Sequence, residues 1–210
     1  MGVAQRACLN LASYVAIRTK FLDQEVLRCI DQSVTQFVIP AAGDDARACR
    51  LCDYVKQPVQ FYHLDLPDVM AHRQKVFADL SASPQTKHVT IHDISTDLSV
   101  DGSWQQALLG SGNHHCALII VVDSLMLDLL CPSGRTGFDP RQPSCWVAEG
   151  LFMYLTNDQV DACLSAIRKL CVKGSVLCGD FLNEYQLTSN MTKTLREIWS
   201  AVCASQPSFS

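Results

Sequence analysis

The sequence predicts an α/β fold, a mainly parallel sheet flanked by helices, in a single domain spanning residues 1–210. Three observations lead there. Runs rich in β-branched and aromatic residues alternate with stretches of helical spacing. Small residues, Ala41-Ala42-Gly43, crowd the turn after the first such run. An acid, Asp65, follows the second run.

In chain order, residues 5–31 carry apolar positions at helical spacing and no Pro or Gly, and read as a helix. Gln36-Phe37-Val38-Ile39 is a short strand ending at Pro40. Asp44-Asp45 then opens a helix expected to run to about Val55, since early acids suit a helix N-terminus. Val59 to Leu64 reads as the second strand, and Pro67 starts a helix to about Leu80, proline being favoured in a first turn. Lys87 to His92 is a third strand and Ser103 to Leu109 a short helix. Cys145 to Ala148 (strand), Asp158 to Leu170 (helix), Ser175 to Cys178 (strand) and Thr188 to Cys203 (helix) complete the series.

Composition narrows the function classes. Hydrophobic residues make up 48% and charged residues 18%, as in a folded globular chain. The net charge of -4, with no dense Lys/Arg block, argues against steering to nucleic-acid phosphates. The apolar run Cys116–Cys131 is shorter than the roughly 20 residues of a membrane span and contains Asp123 and Asp128, so it reads as a core strand. The N-terminus lacks a signal-peptide pattern, and Arg6 spoils a myristoylation motif. The 11 cysteines are scattered, several in apolar stretches, and read as reduced small hydrophobes of a cytoplasmic protein.

The chemistry-bearing constellation is strand, small-residue turn, strand, acid. A turn of small residues lets the backbone approach a ligand closely. Asp65 stands 22 positions beyond Gly43, where an acidic side chain accepts ribose hydroxyls. Asp93, taken to follow the third strand, lies beside the same crevice and could accept from an adenine amino group. This is a Rossmann-like half-domain for a nucleoside cofactor. The spacing leaves S-adenosylmethionine (SAM) and NAD both open.

Five ordered segments resemble the leucine carboxyl methyltransferase family of SAM-dependent methyltransferases. Val38-Ile39-Pro40-Ala41-Ala42-Gly43-Asp44-Asp45-Ala46-Arg47-Ala48-Cys49-Arg50-Leu51 is similar to the family's V-x-L-G-A-G-L-D-T-R-A-Y-R-L. Ile17 to Asp23 resembles R-T-x-F-x-D, and Leu64 to Val69 resembles D-x-P-x-V. His92-Asp93-Ile94 with Trp104 to Leu108 resembles the third-strand segment, and Trp146 to Leu155 resembles W-I-A-E-G-L-L-x-Y-L. The resemblance covers residues 14–185. It implies SAM as cofactor, with Arg18 on its methionine carboxylate, Ala41 and Gly43 along its methionine part, Asp65 on the ribose, Asp93 and Ile94 at the adenine, and Glu149 near the amino group. It also implies methyl transfer to a carboxylate of a small molecule or of a protein C-terminus. Such an acceptor is already a nucleophile, so no general base is named and no catalytic residue assigned. Tyr154 lines the acceptor side or, more plainly, packs in the core.

The chain departs from the family pattern at Ala41 (usually Gly), Asp44 (usually Leu) and Pro40 (usually Leu). Residues 113–136 read as an insertion whose run Ala117–Val122 competes with Cys145–Ala148 for the fourth strand; the Glu149 motif favours the later segment. Relative to the family the chain is short at both ends and lacks the last strands of its fold. That leaves the 175–178 strand as a sheet edge, to be covered by the 117–122 run or by a second copy in a homo-oligomer. The alternative reading is a non-catalytic SAM-binding or interaction protein derived from such an enzyme. A nicotinamide-dependent oxidoreductase is permitted by Asp65 but not suggested by the segments around Arg18 and Glu149. Cys49-x-x-Cys52 lacks a second ligand pair and His114-His115 a metal-binding pattern, so no metal is expected. No G-x-S-x-G elbow is present.

Overall fold

The computed structural model describes residues 3–79, 88–100, 102–110, 116–122, 125–130 and 136–181. Helix α1 (Val3–Asp31) leads into strand β1 (Gln36–Pro40), a single helical turn α2 (Arg47–Arg50) and a 3-10 turn (Cys52–Tyr54). Strand β2 (Val59–Asp65), helix α3 (Pro67–Asp79), strand β3 (Val89–Ser95) and helix α4 (Ser103–Leu108) follow. Strands β4 (Cys116–Val122) and β5 (Leu125–Leu130) precede β6 (Ser144–Ala148), a 3-10 turn (Phe152–Tyr154), helix α5 (Asn157–Lys169) and strand β7 (Val176–Gly179).

The seven strands form one sheet in the order β5-β4-β3-β2-β1-β6-β7. Strands β3, β2, β1, β6 and β7 are mutually parallel, while β4 joins β3 antiparallel and pairs antiparallel with β5. Strands β1 and β6 are buried along their whole length, as continuous apolar runs in a doubly covered parallel sheet should be. Their residues alternate between faces. Phe37, Ile39, Cys145 and Val147 pack with Leu22, Val26 and Cys29 of α1 and Met70 of α3. Val38, Trp146 and Ala148 pack on the other face with Trp104 of α4 and Ile167 of α5. Fully buried side chains of this size each stabilise by roughly 1.5–3 kcal/mol. Helix α5 begins at a capping box in which Thr156 and Gln159 exchange side-chain and backbone bonds.

Most expected elements stand within a residue or two. The helix expected from Asp44 to Val55 does not form. Asp45 spends its carboxylate on the Arg47 N–H at 2.7 Å and on the Arg47 guanidinium. That local bond competes with helix propagation, so only one turn of α-helix and one 3-10 turn remain. Asp65 closes β2 rather than following it, and Asp93 lies inside β3 rather than after it. The contest for fourth strand goes to 144–148, since β6 pairs with β1. The 116–122 strand covers the β3 edge, not the β7 edge, and β7 ends the sheet among the described residues. The expected helix Thr188–Cys203 and His114-His115 lie outside the described residues. Among those described, no helix is long and apolar enough to cross a membrane.

Candidate functional site

Strand order sets the position of the site. The chain leaves β1 toward β2 on one side, while β6 enters on the other, so a crevice opens at the carboxyl ends of β1 and β6. In open α/β sheets ligands bind at such a switch point. A cavity of about 610 Å³ occupies it, lined among others by Arg18, Ala41, Gly43, Arg47, Glu149 and Tyr154.

Its floor is the loop after β1. Two left-handed residues, Ala41 (φ 55°) and Gly43 (φ 49°), reverse the chain within three positions. A Cβ on Gly43 would meet nothing within 4 Å, so glycine serves backbone conformation there rather than close packing. The Gly43 N–H donates to Asp65 Oδ2, and the Leu66 N–H to Asp65 Oδ1, both at 2.8 Å. Burial raises the Asp65 carboxyl above its ordinary value, with the two N–H donors acting against it.

Its walls are charged. Arg18 of α1 donates from Nε to Glu149 Oε1 at 2.9 Å and from Nη1 to Asp180 Oδ2 at 3.0 Å. Thr19 adds a hydroxyl bond to Glu149, and Tyr14 one to Asp180. Arg47, with no exposed side-chain surface, contacts Asp23, Asp45 and Glu149. Arg50 pairs with both oxygens of Asp23. Four carboxylates and three guanidiniums form this network, one formal negative charge in excess. Losing Arg47, the fully buried member, costs about 3–5 kcal/mol, because the carboxylates around it are left unpaired.

Of the residues singled out in the sequence, Arg18, Ala41, Gly43 and Glu149 meet on this cavity, with Asp65 one hydrogen bond behind it. Ile94 is fully buried in the apolar cluster beneath α4, and Asp93 is 2% exposed, facing His63 and Arg73 rather than the cavity. Tyr154 is not a core residue: it is 51% exposed and lines the cavity. Asp180 was missed, although it stands directly after a strand as Asp65 was taken to. Asp23 and Arg47 lay inside recognised motifs without a role; an arginine flanked by Ala46 and Ala48 was the available sign of a buried charge. Burial raises the thiols of Cys49 and Cys52, the reverse of what a reactive pair needs.

Switch-point crevice, left-handed turn and acid at the end of β2 are features of the doubly wound α/β class. Within that class the chain belongs to the leucine carboxyl methyltransferase family, whose model matches residues 3–126 and 130–168. A Mycobacterium tuberculosis (strain ATCC 25618 / H37Rv) protein, named as a candidate S-adenosyl-L-methionine-dependent methyltransferase, is 34% identical over 173 residues, covering 82% of this chain and 47% of the relative. A Parafrankia sp. (strain EAN1pec) protein with the same kind of name is 29% identical over 165 residues, covering 79% and 43%. The crystal structure of a candidate methyltransferase from Thermobifida fusca YX shares the fold, with a TM-score of 0.50 at 17% identity over 85% of this chain and 59% of that one. This chain spans about half the length of the curated relatives it matches.

Proposed function

We propose that this chain forms the SAM-binding portion of a methyltransferase whose acceptor is a carboxylate, on a small molecule or at a protein C-terminus. The observation that carries the reading is the switch-point crevice in which Arg18 is held between Glu149 and Asp180. The donor set fits the cofactor. Arg18 stands on the cavity wall, where its charge suits the methionine carboxylate. Glu149 and Asp180 lie beside it as acceptors for an ammonium. Asp65 uses one lone pair of each oxygen on backbone N–H groups and keeps one on each for the ribose hydroxyls. The excess negative charge complements a ligand of net charge +1.

When bound, SAM supplies an electrophilic methyl on a sulfonium, which leaves without needing a proton. The protein's part is then to bind, align and exclude water. The Ala41–Gly43 backbone would hold the methionine part, and Arg18 would fix its carboxylate end. No residue of the chain has to take a proton from an acceptor that is already ionised.

Calorimetry with SAM, its demethylated product and NAD tests the reading. Saturable SAM binding is expected, weakened at least tenfold in Asp65→Ala; binding of NAD alone would overturn it. Labelled SAM incubated with a panel of carboxylates reads turnover separately. Binding without transfer across the panel would favour the non-catalytic alternative.

A further inference from the structure

The buried cluster behind the crevice has no role in the network that lines it. Arg73 of α3 is 1% exposed, yet it carries a full charge into the interior. Its Nη1 donates to the carbonyl oxygens of Gly43 at 3.1 Å and Asp45 at 2.6 Å. Its Nε donates to Asp93 Oδ1 at 3.2 Å, and its Nη2 stands 3.0 Å from His63 Nδ1. The Phe77 ring lies 4.3 Å from its guanidinium carbon and closes the fourth side. One guanidinium thus ties the loop after β1 to β2 and β3.

We propose that Arg73 is a positioning residue for the cofactor loop, holding the Gly43 and Asp45 carbonyls in place while Asp93, itself bonded by His63, holds Arg73. The inference rests on the SAM reading of the crevice and gives Asp93 a role behind the site. The Gly43 residue is gripped on both sides: Asp65 accepts from its N–H and Arg73 donates to its C=O. That grip falls on a loop with two left-handed residues, a conformation an L-residue such as Ala41 leaves unless its surroundings hold it. Asp45 in turn orients Arg47, which meets Glu149. Contacts therefore run from Asp93 on β3 through Arg73, the Asp45 backbone and Arg47 to Glu149 on the cavity wall. Burial, with the Arg73 charge, lowers His63, leaving Asp93 as the anion that faces the guanidinium. Asp93 is held below the ordinary carboxyl value despite its burial, because His63 and Arg73 both stabilise the ionised form.

Two variants separate positioning from folding. Arg73→Lys keeps a cation for Asp93 but loses the planar fork. The double variant Arg73→Met/Asp93→Asn removes the clamp and the carboxylate it would orphan. Amide hydrogen exchange on the ligand-free protein is expected to rise at least tenfold over residues 41–46 in the double variant, with residues 36–39 within twofold of wild type. The Kd for S-adenosylhomocysteine is expected to rise at least tenfold, with Arg73→Lys between the two. Folded variants whose loop exchange and Kd both stay within twofold of wild type would overturn the proposal. So would acceleration spread evenly over residues 36–46, the mark of a merely structural residue. If the wild-type protein binds no S-adenosylhomocysteine, the cofactor reading fails, and loop exchange alone then decides whether Arg73 holds the loop.

Discussion

Ala41 shows most plainly how one residue bears on this site. It occupies a left-handed position where the family pattern has glycine, with φ 55°. An L-residue there costs about 1–2 kcal/mol, whereas glycine costs about 0.4–1 kcal/mol through the freedom it adds to the unfolded chain. Ala41→Gly is therefore expected to stabilise by about 0.5–1 kcal/mol, a rise in Tm of roughly 1–4 °C for a chain of this size. Thermal unfolding checks this, and an unchanged or lower Tm would show the loop unstrained. Sequence reading reaches Gly43 and Asp65 by local rules, small residues in a βα turn and an acid at a strand end, and Arg18 and Glu149 only through the family resemblance. It found neither Asp180 nor the task of Arg73. Their contacts reach across 162 residues (Arg18 to the Asp180 carboxylate) and across 30 residues (Arg73 to the Gly43 carbonyl), which no local pattern encodes.

Among the elements, alternation and spacing placed nearly every strand and helix, since burial on both faces leaves long apolar runs and helices a one-sided stripe. They failed where a side chain outcompeted the backbone, at Asp45, and where composition is silent on partners, as for the strand at 116–122. Strand β7 carries the clearest element-scale test. A Cβ on Gly179 would stand 2.6 Å from the carbonyl oxygen of Ala148 on β6. Strand β6 is held between β1 and β7 and has little room to yield. Gly179→Ala is expected to cost about 1–3 kcal/mol and, by shifting the next residue, to loosen the pair between Asp180 and Arg18. Chemical denaturation reads the first effect and the Kd for S-adenosylhomocysteine the second. A loss below about 0.5 kcal/mol would mean that β7 adjusts freely.

At the scale of the molecule, the pH dependence of stability follows from histidines folded into the sheet. His92 stacks on Tyr62 with ring centroids 4.7 Å apart, and its Nε2–H donates to Gln60 Oε1 at 3.1 Å. Its Nδ1 is buried and makes no hydrogen bond among the described residues. Burial, followed by the nearby His63, pushes His92 down to about 4 from 6.5. Below pH 6.5 the unfolded chain takes up this proton, while the folded chain does so only near pH 4. The unfolded state then binds more protons, so stability falls as pH drops through that window, by at most about 1.4 kcal/mol per pH unit. His92→Phe keeps the stack and removes the titration. Urea midpoints between pH 7 and 4.5 should fall less steeply in the variant than in wild type; parallel curves would remove His92 from the account. Architecture at this scale was largely legible in the sequence, because five ordered motifs and a βα rhythm admit few topologies. The sheet's antiparallel margin was not, since an apolar run fits either edge.

Gln36 carries a consequence for how the protein is born. Its side chain accepts the N–H of Asp139 at 2.7 Å and donates to the Asp139 carbonyl at 3.0 Å, fastening β1 to the approach of β6 from 103 residues away. Ribosomes lengthen a chain by about 5–20 residues per second. The flank of β1 that β6 will occupy is therefore bare for roughly 5–20 s, while Phe37, Val38 and Ile39 have been made and their neighbour has not. For this molecule the hazard of self-association is greatest during translation, before Asp139 leaves the tunnel, and it falls on a strand that ends buried along its whole length.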